Sequence, residues 1–531
     1  MSQKEIIVIS NTVVELSRWQ FAFTAMFHFL FVPITLGMTW ILVAMEAAYL
    51  KTGKTVYKDM TKFWGKLLAI NFAIGVISGI TMEFEFGLNW AYFSRMIGGS
   101  FGPVLAIEGI TAFMLEATMF GLFFFSWDKL SKRAHFIVTV FMAFGATLSI
   151  VNILAANSWM QHPIATAFDY NNMTLQLYSI SSLYLHHLAQ IRIGHVAFAG
   201  FFLSSIFVMG ISAFYLLKNR DVEFAKRSFA IGVGFGFICS IMVAFYGDQN
   251  GIEVSKDEPE KMAAIEAQWY TQPAPAAWYA IAFPDQQAEK NYLTLKIPYA
   301  LSLIATHSLT GTVEGIKPLV KKYEARVQDG ILAYTALHKI WNNTATSADV
   351  AAFAAHKDNL GFAYLLEPIT NDVAHATPAQ ITQAAKSAIP NVPIAFWSFR
   401  IMIGFWGLLF ILILFGLRFA YKDTLQQHPI FLRLCTLAIP LPFVCAEAGW
   451  VLAEVGRQPW VIHDILPTFM GVSSLDVTSL VTSLILFFLF YGTLFSVELF
   501  LMFKFARLGP SSLGTGKYHF EKNNSNGSSE H

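Results

Sequence analysis

Two histidines and six glutamates lie inside or at the ends of long apolar stretches of this sequence. The chain has 14 histidines, yet only His28 and His195 fall well inside such stretches. An ionisable side chain in hydrocarbon is costly unless it is paired, hydrogen-bonded or bound to a metal. The chemistry expected of these residues is therefore metal ligation, proton transfer or pairing with arginine. The glutamates concerned are Glu83, Glu85, Glu108, Glu116, Glu447 and Glu454.

Trp450 lies between two of these carboxylates on one predicted helix face. Glu447 and Glu454 are seven residues apart, so the three side chains project from the same side, and Arg457 follows one turn later. Ligation of a metal by Glu454 and pairing of Glu454 with Arg457 are both open on this pattern.

Glu108 and Glu116 are eight residues apart on another apolar stretch. In an α-helix this separates their backbones by about 12 Å along the axis, with a modest angular offset. The spacing favours a proton relay over two carboxylates that share one site. Ser149, on the following stretch, is predicted to lie at the inner depth of Glu116.

The elements that position these residues must be membrane-spanning helices. The chain of 531 residues is 55% hydrophobic and only 13% charged, which excludes a soluble globular protein. The net charge of +1 offers no argument for nucleic-acid binding. Cys239, Cys435 and Cys445 lie far apart in or beside apolar stretches, so neither a disulfide framework nor a CxxC metal site is expected.

A helix needs about 20 apolar residues to cross a bilayer, and by that measure the sequence contains about nine spans. The predicted fold class is an all-α polytopic membrane protein. The predicted spans are 18–48, 67–92, 104–127, 135–157, 192–217, 228–247, 394–417, 432–455 and 474–503.

Lysine and arginine indicate the orientation of these spans. The connection between the first two spans, residues 51–66, is rich in lysine, whereas residues 158–191 contain neither lysine nor arginine. The basic clusters at 129–133, 218–227 and 418–433 fall on the same side as the first. Because cytoplasmic loops are rich in these residues, that side is predicted to be cytoplasmic, with the N-terminus out and the C-terminus in.

One hydrophilic segment, 248–393, is long enough to be an extracytoplasmic domain. It contains Lys261, Glu266 and the sequence TQPAPA, and its stretch KKYEARVQDGILAYTALHKIW has helical periodicity. The predicted domains are 1–247 and 394–510 in the membrane, 248–393 outside it, and a disordered cytoplasmic tail, 511–531, whose end at 523–531 is the most polar part.

No dinucleotide fingerprint, Walker loop or zinc-site spacing accompanies the buried residues, so haem is the expected cofactor. Haem iron takes one axial ligand from each face, and imidazole with thioether, or imidazole alone, are ordinary choices. His195, Met402, Glu108 and Glu454 are all predicted within a few turns of the outer ends of their spans. By itself Met402 is more simply a packing residue, since the chain has 18 methionines.

The order and spacing of several motifs resemble subunit I of the cytochrome bd ubiquinol oxidases, in particular the subfamily with a long Q loop. The resemblance runs from about Val14 to Pro510, and GRQPW is its most specific motif. The motifs are SRWQFAFTAMFHFLFVPITLG around His28, GLNWAYFSR, AIEG, MLEAT, IRIGHVAFAG, FRIM at Phe399–Met402, and EAGWVLAEVGRQPW at Glu447–Trp460.

The resemblance implies a low-spin haem b and a quinol site near the outer face. His195 and Met402 would be the axial ligands of this haem, with Arg400 near its edge or its propionates. Lys261 and Glu266 match the quinol-site positions of the Q loop, where Glu266 would accept a proton from quinol.

The resemblance also implies two high-spin haems, one of type b and one of type d, with a third haem b in place of haem d as the alternative. His28 and Glu454 would each bind one of them. We assign His28 to the oxygen-reactive haem d, with Glu108 on its other face, and Glu454 to the high-spin haem b. Trp450 would lie between haems in the electron path, and Arg457 would pair with propionates or with Glu454.

Glu116 with Ser149 matches a proton path from the cytoplasm in this family. The implied activity is oxidation of ubiquinol or menaquinol at the outer face and reduction of O2 to water with inner protons, which separates charge without a pump. The implied location is the bacterial cytoplasmic (inner) membrane. The implied partners are a second large membrane subunit and one or more small single-span subunits, with no nucleic acid.

Two other classes of protein also bury ionisable residues in a membrane. An ion carrier would place them at broken helices within inverted repeats, and the sequence shows neither feature. The b-type cytochrome anchor of a quinone-linked dehydrogenase would favour several bis-histidine sites, whereas only two histidines lie well inside the spans.

Overall fold

The computed structural model describes residues 10–169 and 172–510, and within them the protein is mostly helical. Nine helical segments of these residues are long and apolar enough to cross a membrane, as the sequence predicts. The predicted tail, 511–531, lies outside the described residues. The candidate spans are Asn11–Thr52, Thr55–Leu88, Ala91–Phe125, Lys132–Gln161, His187–Leu217, Val222–Asp257, Pro378–Tyr421, Pro429–Val455 and Val477–Leu508.

The first six spans contain two local features that hydropathy alone does not predict. The first span breaks at Leu30 and Phe31 because Pro33, in the first turn of the next helix, has no N–H to donate. A π-helical turn, Glu108–Phe113, interrupts the third span. The elements of this region are α1 (Asn11–Phe29), α2 (Val32–Thr52), α3 (Thr55–Leu88), α4 (Ala91–Ile107), α5 (Met114–Phe125), α6 (Lys132–Gln161), β1 (Thr166–Asp169), β2 (Thr174–Leu177), α7 (Ile180–Leu185), α8 (His187–Leu217) and α9 (Val222–Asp257).

The hydrophilic segment folds around its own apolar core, which reaches the beginning of the next span at Ala395 and Phe396. The long helix predicted from KKYEARVQDGILAYTALHKIW is present, whereas α9 runs to Asp257, past the expected domain boundary at 248. The elements are α10 (Pro259–Ile265), β3 (Trp278–Asp285), β4 (Lys290–Ile297), α11 (Ala300–Thr306), α12 (Ile316–Trp341), α13 (Ser347–His356), α14 (Leu360–Tyr364) and α15 (Pro378–Ser387), with 3₁₀ turns at Lys357–Asn359 and Val373–His375.

The last three spans follow the hydrophilic segment in the chain. Among the candidate spans, His187–Leu217 (α8) is the most enclosed and Val477–Leu508 the least, so α8 lies at the centre of the bundle. The remaining elements are α16 (Val392–Tyr421), α17 (Pro429–Leu437), α18 (Leu441–Val455), β5 (Trp460–Ile462), β6 (Leu466–Pro467), α19 (Thr468–Gly471) and α20 (Val477–Leu508), with a 3₁₀ turn at Leu425–Gln427.

The predicted basic connections meet at one end of the bundle. Arg227 Nη1 donates to the Tyr57 hydroxyl at 2.8 Å, which joins the start of α9 to the start of α3. Lys226 Nζ lies 2.7 Å from Asp423 Oδ1, which joins α9 to the end of α16. Grouping of the basic residues at one end is the arrangement that the positive-inside rule requires.

Candidate functional site

Helix α6 contacts four of the predicted site carboxylates and cations in order along its length. The contacts span 16 residues, from Gly145 to Gln161, or about 24 Å at the α-helical rise. The order of these contacts along α6 therefore gives the relative depth of the four groups, from the basic end of the bundle towards the hydrophilic segment. The pairs are Gly145 with Glu116, Ser149 with Glu108, Asn157 with Glu454, and Gln161 with Lys261.

Ser149, which the sequence places at the depth of Glu116, forms its hydrogen bond with Glu108. Its hydroxyl donates to Glu108 Oε1 at 2.6 Å. Gly145, one turn earlier on α6, contacts the Glu116 backbone instead. The Glu108 carboxylate therefore lies about 6 Å from the level of Glu116, closer than the separation of their backbones suggests. Glu116 is buried, and its Oε1 has no hydrogen-bond partner.

Glu108 stands at the first position of the π-helical turn. A π turn inserts an extra residue into the helix and rotates the side chains that follow, and such turns are frequent at functional sites. The angular offset between Glu108 and Glu116 therefore differs from that of a regular α-helix. The turn is the reason why Glu108 reaches Ser149 while Glu116 faces Gly145.

The two span histidines share one hydrogen-bonding arrangement. Nδ1 of His28 lies 3.0 Å from the Ser78 hydroxyl, and Nδ1 of His195 lies 3.2 Å from the Val243 carbonyl oxygen. In each ring this contact leaves Nε2 as the nitrogen for a ligand. A partner on one ring nitrogen orients the ring and fixes its tautomer, as is usual for metal-bound histidine.

Glycines lie against the predicted axial ligands. A Cβ at Gly79 would lie 3.1 Å from His28 Cε1, and one at Gly247 would lie 3.1 Å from His195 Cε1. A Cβ at Gly449 would lie 3.1 Å from the Met402 sulfur. Larger residues at these positions would displace the side chains of His28, His195 and Met402.

Glu454 has protein partners on both carboxylate oxygens. Arg457 Nη2 lies 2.5 Å from Oε2, and Asn157 Nδ2 donates to Oε1 at 3.0 Å. The ion pair with Arg457 is one of the two arrangements that the spacing allows. Trp450, one turn earlier, packs against Phe29, the neighbour of His28, with ring centroids 5.2 Å apart.

Arg400 and Glu266 form a buried ion pair between α16 and the hydrophilic segment. Arg400 Nη2 donates to Glu266 Oε2 at 2.8 Å, and the guanidinium also binds the carbonyl oxygens of Ile265 and Tyr279. Burial raises the pKa of the Glu266 carboxyl, and the Arg400 guanidinium opposes that shift. Each nitrogen of Arg400 has an acceptor within the protein.

Lys261 belongs to a second buried charge cluster. Its Nζ donates to Glu258 Oε2 at 2.8 Å, and Arg192 Nη2 donates to Glu258 Oε1 at 2.7 Å. Burial raises the pKa of Glu258, but the positive charges of Lys261, Arg192 and His463 outweigh it and lower that pKa to about 2. Burial lowers the pKa of the Lys261 ammonium, and Glu258 opposes that change.

The sequence analysis did not identify Glu258, Arg192, Asn157 or Gln161 as parts of these clusters. Glu258 lies three residues before Lys261, a helical spacing that signals a pair. Asn157 and Gln161 are one turn apart at the C-terminal end of α6, but amides are too common for this spacing to stand out. Their partners lie 297 and 100 residues away in the sequence, so no local pattern reveals them.

The donor atoms of the predicted site fit haem. The described residues contain no group of three or more His, Cys, Asp or Glu side chains that could hold a metal ion. Single imidazole, thioether and carboxylate donors suit an iron whose equatorial ligands come from a porphyrin. The oriented rings of His28 and His195 and the sulfur of Met402 match that requirement.

Comparison with known proteins gives one consistent result. Residues 16–510 match the sequence family described as cytochrome bd terminal oxidase subunit I. The chain is 44% identical to cytochrome bd-II ubiquinol oxidase subunit 1 of Escherichia coli (strain K12), over 94% of this chain and 98% of that protein. It is 34% identical to cytochrome bd ubiquinol oxidase subunit 1 of Bacillus subtilis (strain 168), over 93% of each.

A solved structure shows the same fold. The bd oxidase from Geobacillus thermodenitrificans superposes with a TM-score of 0.74 at 21% identity, and the match covers 94% of this chain and 99% of that chain. The predicted architecture therefore agrees with an experimental structure as well as with hydropathy.

Proposed function

Because this chain belongs to the cytochrome bd terminal oxidase subunit I family, we propose that it oxidises quinol at the outer membrane face and reduces O2 to water with protons from the cytoplasm. It is a quinol oxidase of the bacterial inner membrane. Membership of this family excludes the ion carrier and the b-type cytochrome anchor as alternatives. The N-terminus lies outside and the C-terminus inside, with 248–393 as the outer Q-loop domain and 1–247 and 394–510 in the membrane.

The observation that carries this proposal is the pair of oriented imidazoles, each bound through Nδ1 and open to a ligand at Nε2. His195 and Met402 would hold a low-spin haem b, and His28 and Glu454 the two high-spin haems, b and d, or b alone. Glu108 would face the haem held by His28. When bound, these haems carry electrons from quinol to oxygen.

Quinol oxidation requires a base near its hydroxyl group, and Glu266 supplies one. Oε2 of this carboxylate is held by Arg400, so Oε1 is the oxygen that accepts the proton. The raised pKa of Glu266 brings its proton affinity closer to neutral pH, where a general base works best. Arg400 acts by orienting Glu266, since its nitrogens bind the Q loop.

A cavity of about 290 Å³ begins at Ala267, the residue after Glu266. Its walls include the aromatic rings of Trp269 and Tyr279 and the polar side chains of Gln268 and Asn291. The charged side chains of Glu289, Lys290 and Lys296 also line it, so it is a polar cleft next to the segment that carries Glu266. Lys261 lies in the neighbouring charge cluster with Glu258.

On the inner side, Glu116 and Glu108 would pass protons towards the oxygen site. Ser149 fixes Glu108 by its hydrogen bond, and Glu116 lies nearer the basic end of α6. Trp450, packed on Phe29, would lie in the electron path, and Arg457 would hold Glu454. The partners we expect are a second large membrane subunit and one or more small single-span subunits.

The test uses the purified membrane complex. A reduced spectrum with b-type bands and a long-wavelength haem d band, together with quinol-dependent oxygen consumption, is the expected result. Glu266→Gln should abolish most reduction of the haems by quinol while dithionite still reduces them. Glu314→Gln, which changes another carboxylate of the Q loop, is the matched control. Normal quinol oxidation in Glu266→Gln contradicts the assigned role.

A further inference from the structure

A continuous row of hydrogen bonds connects the Q loop to Glu454. Lys261 Nζ donates to Gln161 Oε1 at 2.9 Å, and Gln161 Nε2 donates to Asn157 Oδ1 at 2.8 Å. Asn157 Nδ2 then donates to Glu454 Oε1 at 3.0 Å. The two amides lie one turn apart on α6, while Lys261 is on α10 and Glu454 is at the end of α18.

The two ends of this row determine the orientation of both amides. An ammonium group only donates hydrogen bonds, and an ionised carboxylate only accepts them. Gln161 must therefore present its oxygen to Lys261 and its nitrogen to Asn157, and Asn157 must present its nitrogen to Glu454. With either amide reversed, two like groups would face each other.

A second contact joins the same two regions independently of the amides. The Lys261 side chain lies against Gly456, where a Cβ would lie 2.9 Å from Lys261 Cε. Gly456 follows Glu454 by two residues and precedes Arg457. Lys261 is also close enough to Glu454 for the two charges to interact. The end of α18 and the start of the Q loop thus touch through backbone as well as through side chains.

We propose that Gln161 and Asn157 are positioning residues that link the geometry of Lys261, in the quinol site, to that of Glu454, in the oxygen-reducing part of the protein. The proposal rests on the function proposed above. A shift of Lys261 changes the position of the Gln161 amide group. That change in turn moves the Asn157 amide nitrogen, which donates to Glu454. Neither amide titrates, so the link transmits position without adding an acidic or basic group between the outer face and Glu454.

Two substitutions at Gln161 separate the two halves of the link. Gln161→Leu removes both hydrogen bonds. Gln161→Glu keeps an acceptor for Lys261 but faces Asn157 with a second acceptor, so Asn157 must turn its nitrogen away from Glu454. Asn152→Leu, which removes another buried amide of α6 that binds Tyr184 and lies outside the link, is the matched control.

The measurements are KM and kcat for quinol and the absorption spectrum of the resting complex, which requires no turnover. Gln161→Leu should raise the quinol KM about tenfold, the effect of losing a hydrogen bond to a charged group, and should shift the high-spin haem bands. Gln161→Glu should shift the same bands with KM within about twofold of wild type. The double variant Lys261→Met, Gln161→Leu should have no higher KM than Lys261→Met alone, because Gln161 acts through Lys261.

The outcomes distinguish this proposal from the proposed function. A wild-type complex that does not oxidise quinol refutes the proposed function. If wild type is active, high-spin bands that stay unchanged in Gln161→Glu overturn the link. A Gln161→Leu variant that behaves like Asn152→Leu also overturns it. If Gln161→Leu does not fold, Gln161→Glu still decides the question.

Discussion

The Ser149 hydroxyl donates a hydrogen bond of 2.6 Å to the Glu108 carboxylate, across 41 residues of sequence. The contact joins α6 to the π-helical turn and places Ser149 beside Glu108, the glutamate of the two that lies nearer the hydrophilic segment. Glu116 is left buried with one oxygen that has no protein partner. The two carboxylates therefore have different surroundings, and their substitution should have different effects.

Ser149→Ala should slow oxygen reduction about tenfold, because Glu108 loses a charge-assisted hydrogen bond. Reduction of the low-spin haem by quinol should be unchanged. Ser158→Ala is the control, since Ser158 is buried on the same helix and its hydroxyl has no hydrogen-bond partner. Stopped-flow absorption separates the two steps. Equal rates of oxygen reduction in Ser149→Ala and Ser158→Ala would show that oxygen reduction does not need the contact between Ser149 and Glu108.

Glu116→Gln should lose most oxygen reduction while quinol still reduces the low-spin haem. Glutamine keeps the shape and hydrogen bonding of Glu116 but cannot take up and release a proton. Glu498→Gln, a change at another buried carboxylate on α20, should retain turnover. Near wild-type oxygen consumption by Glu116→Gln, with full haem content, would require another inward proton route.

Met402→Leu should convert the low-spin haem to high spin and slow quinol oxidation, because it keeps the volume but removes the sulfur ligand. Gly449→Ala should weaken the same bond, since its Cβ would lie 3.1 Å from the Met402 sulfur. Gly404→Ala, where a Cβ meets nothing within 4 Å, is the control on α16. The reduced spectrum reports all three. An unchanged low-spin spectrum in Met402→Leu excludes Met402 as a ligand.

We expect the Q-loop region to become less stable at alkaline pH because His463 loses its proton there. Burial lowers its pKa, but the hydrogen bond to Glu260 and the charge of Asp464 outweigh it and raise that pKa from 6.5 to about 9. The stabilisation, about 3 kcal/mol, is present in full below pH 6.5 and is lost as the pH rises through about 9.

The measurement for His463 is the temperature at which the Q loop becomes sensitive to protease, at pH 6 and at pH 9.5. In the wild-type protein this temperature should be lower at pH 9.5 than at pH 6. In His463→Gln it should be below the wild-type value at pH 6 and should change little between pH 6 and pH 9.5. His375→Gln, at an exposed histidine, should behave as wild type. A wild-type profile that does not change with pH would show that His463 is not charged in the folded protein.

The orientation is tested by labelling introduced cysteines in intact cells. An impermeant maleimide should label Thr344→Cys, in the exposed connection between α12 and α13, but not Tyr421→Cys, at the exposed end of α16. The native cysteines should add little background labelling, because Cys239 and Cys435 are buried and Cys445 is partly buried. Labelling of Tyr421→Cys but not of Thr344→Cys would show that the orientation is the opposite of the one we expect.

Hydropathy and residue spacing were enough to predict the nine spans, the hydrophilic segment and its long helix, and they left the pairing of Glu454 with Arg457 as one of the open arrangements. Each of these depends on local properties of the chain. The energy of placing a segment in lipid depends on its own composition, and residues three or four apart on a helix are neighbours wherever that helix lies.

The contacts between helices required the tertiary structure. Ser149 meets Glu108 because a π turn changes the rotation of the third span, and no apolar periodicity reveals that turn. Gln161 meets Lys261 because the fold brings the Lys261 side chain of α10 to the end of α6. The partner of a buried polar group depends on the relative depth and rotation of separate helices. Those are determined by packing of the whole bundle, because an apolar side chain is equally stable against lipid and against another helix, so the apolar pattern does not select the neighbouring helix.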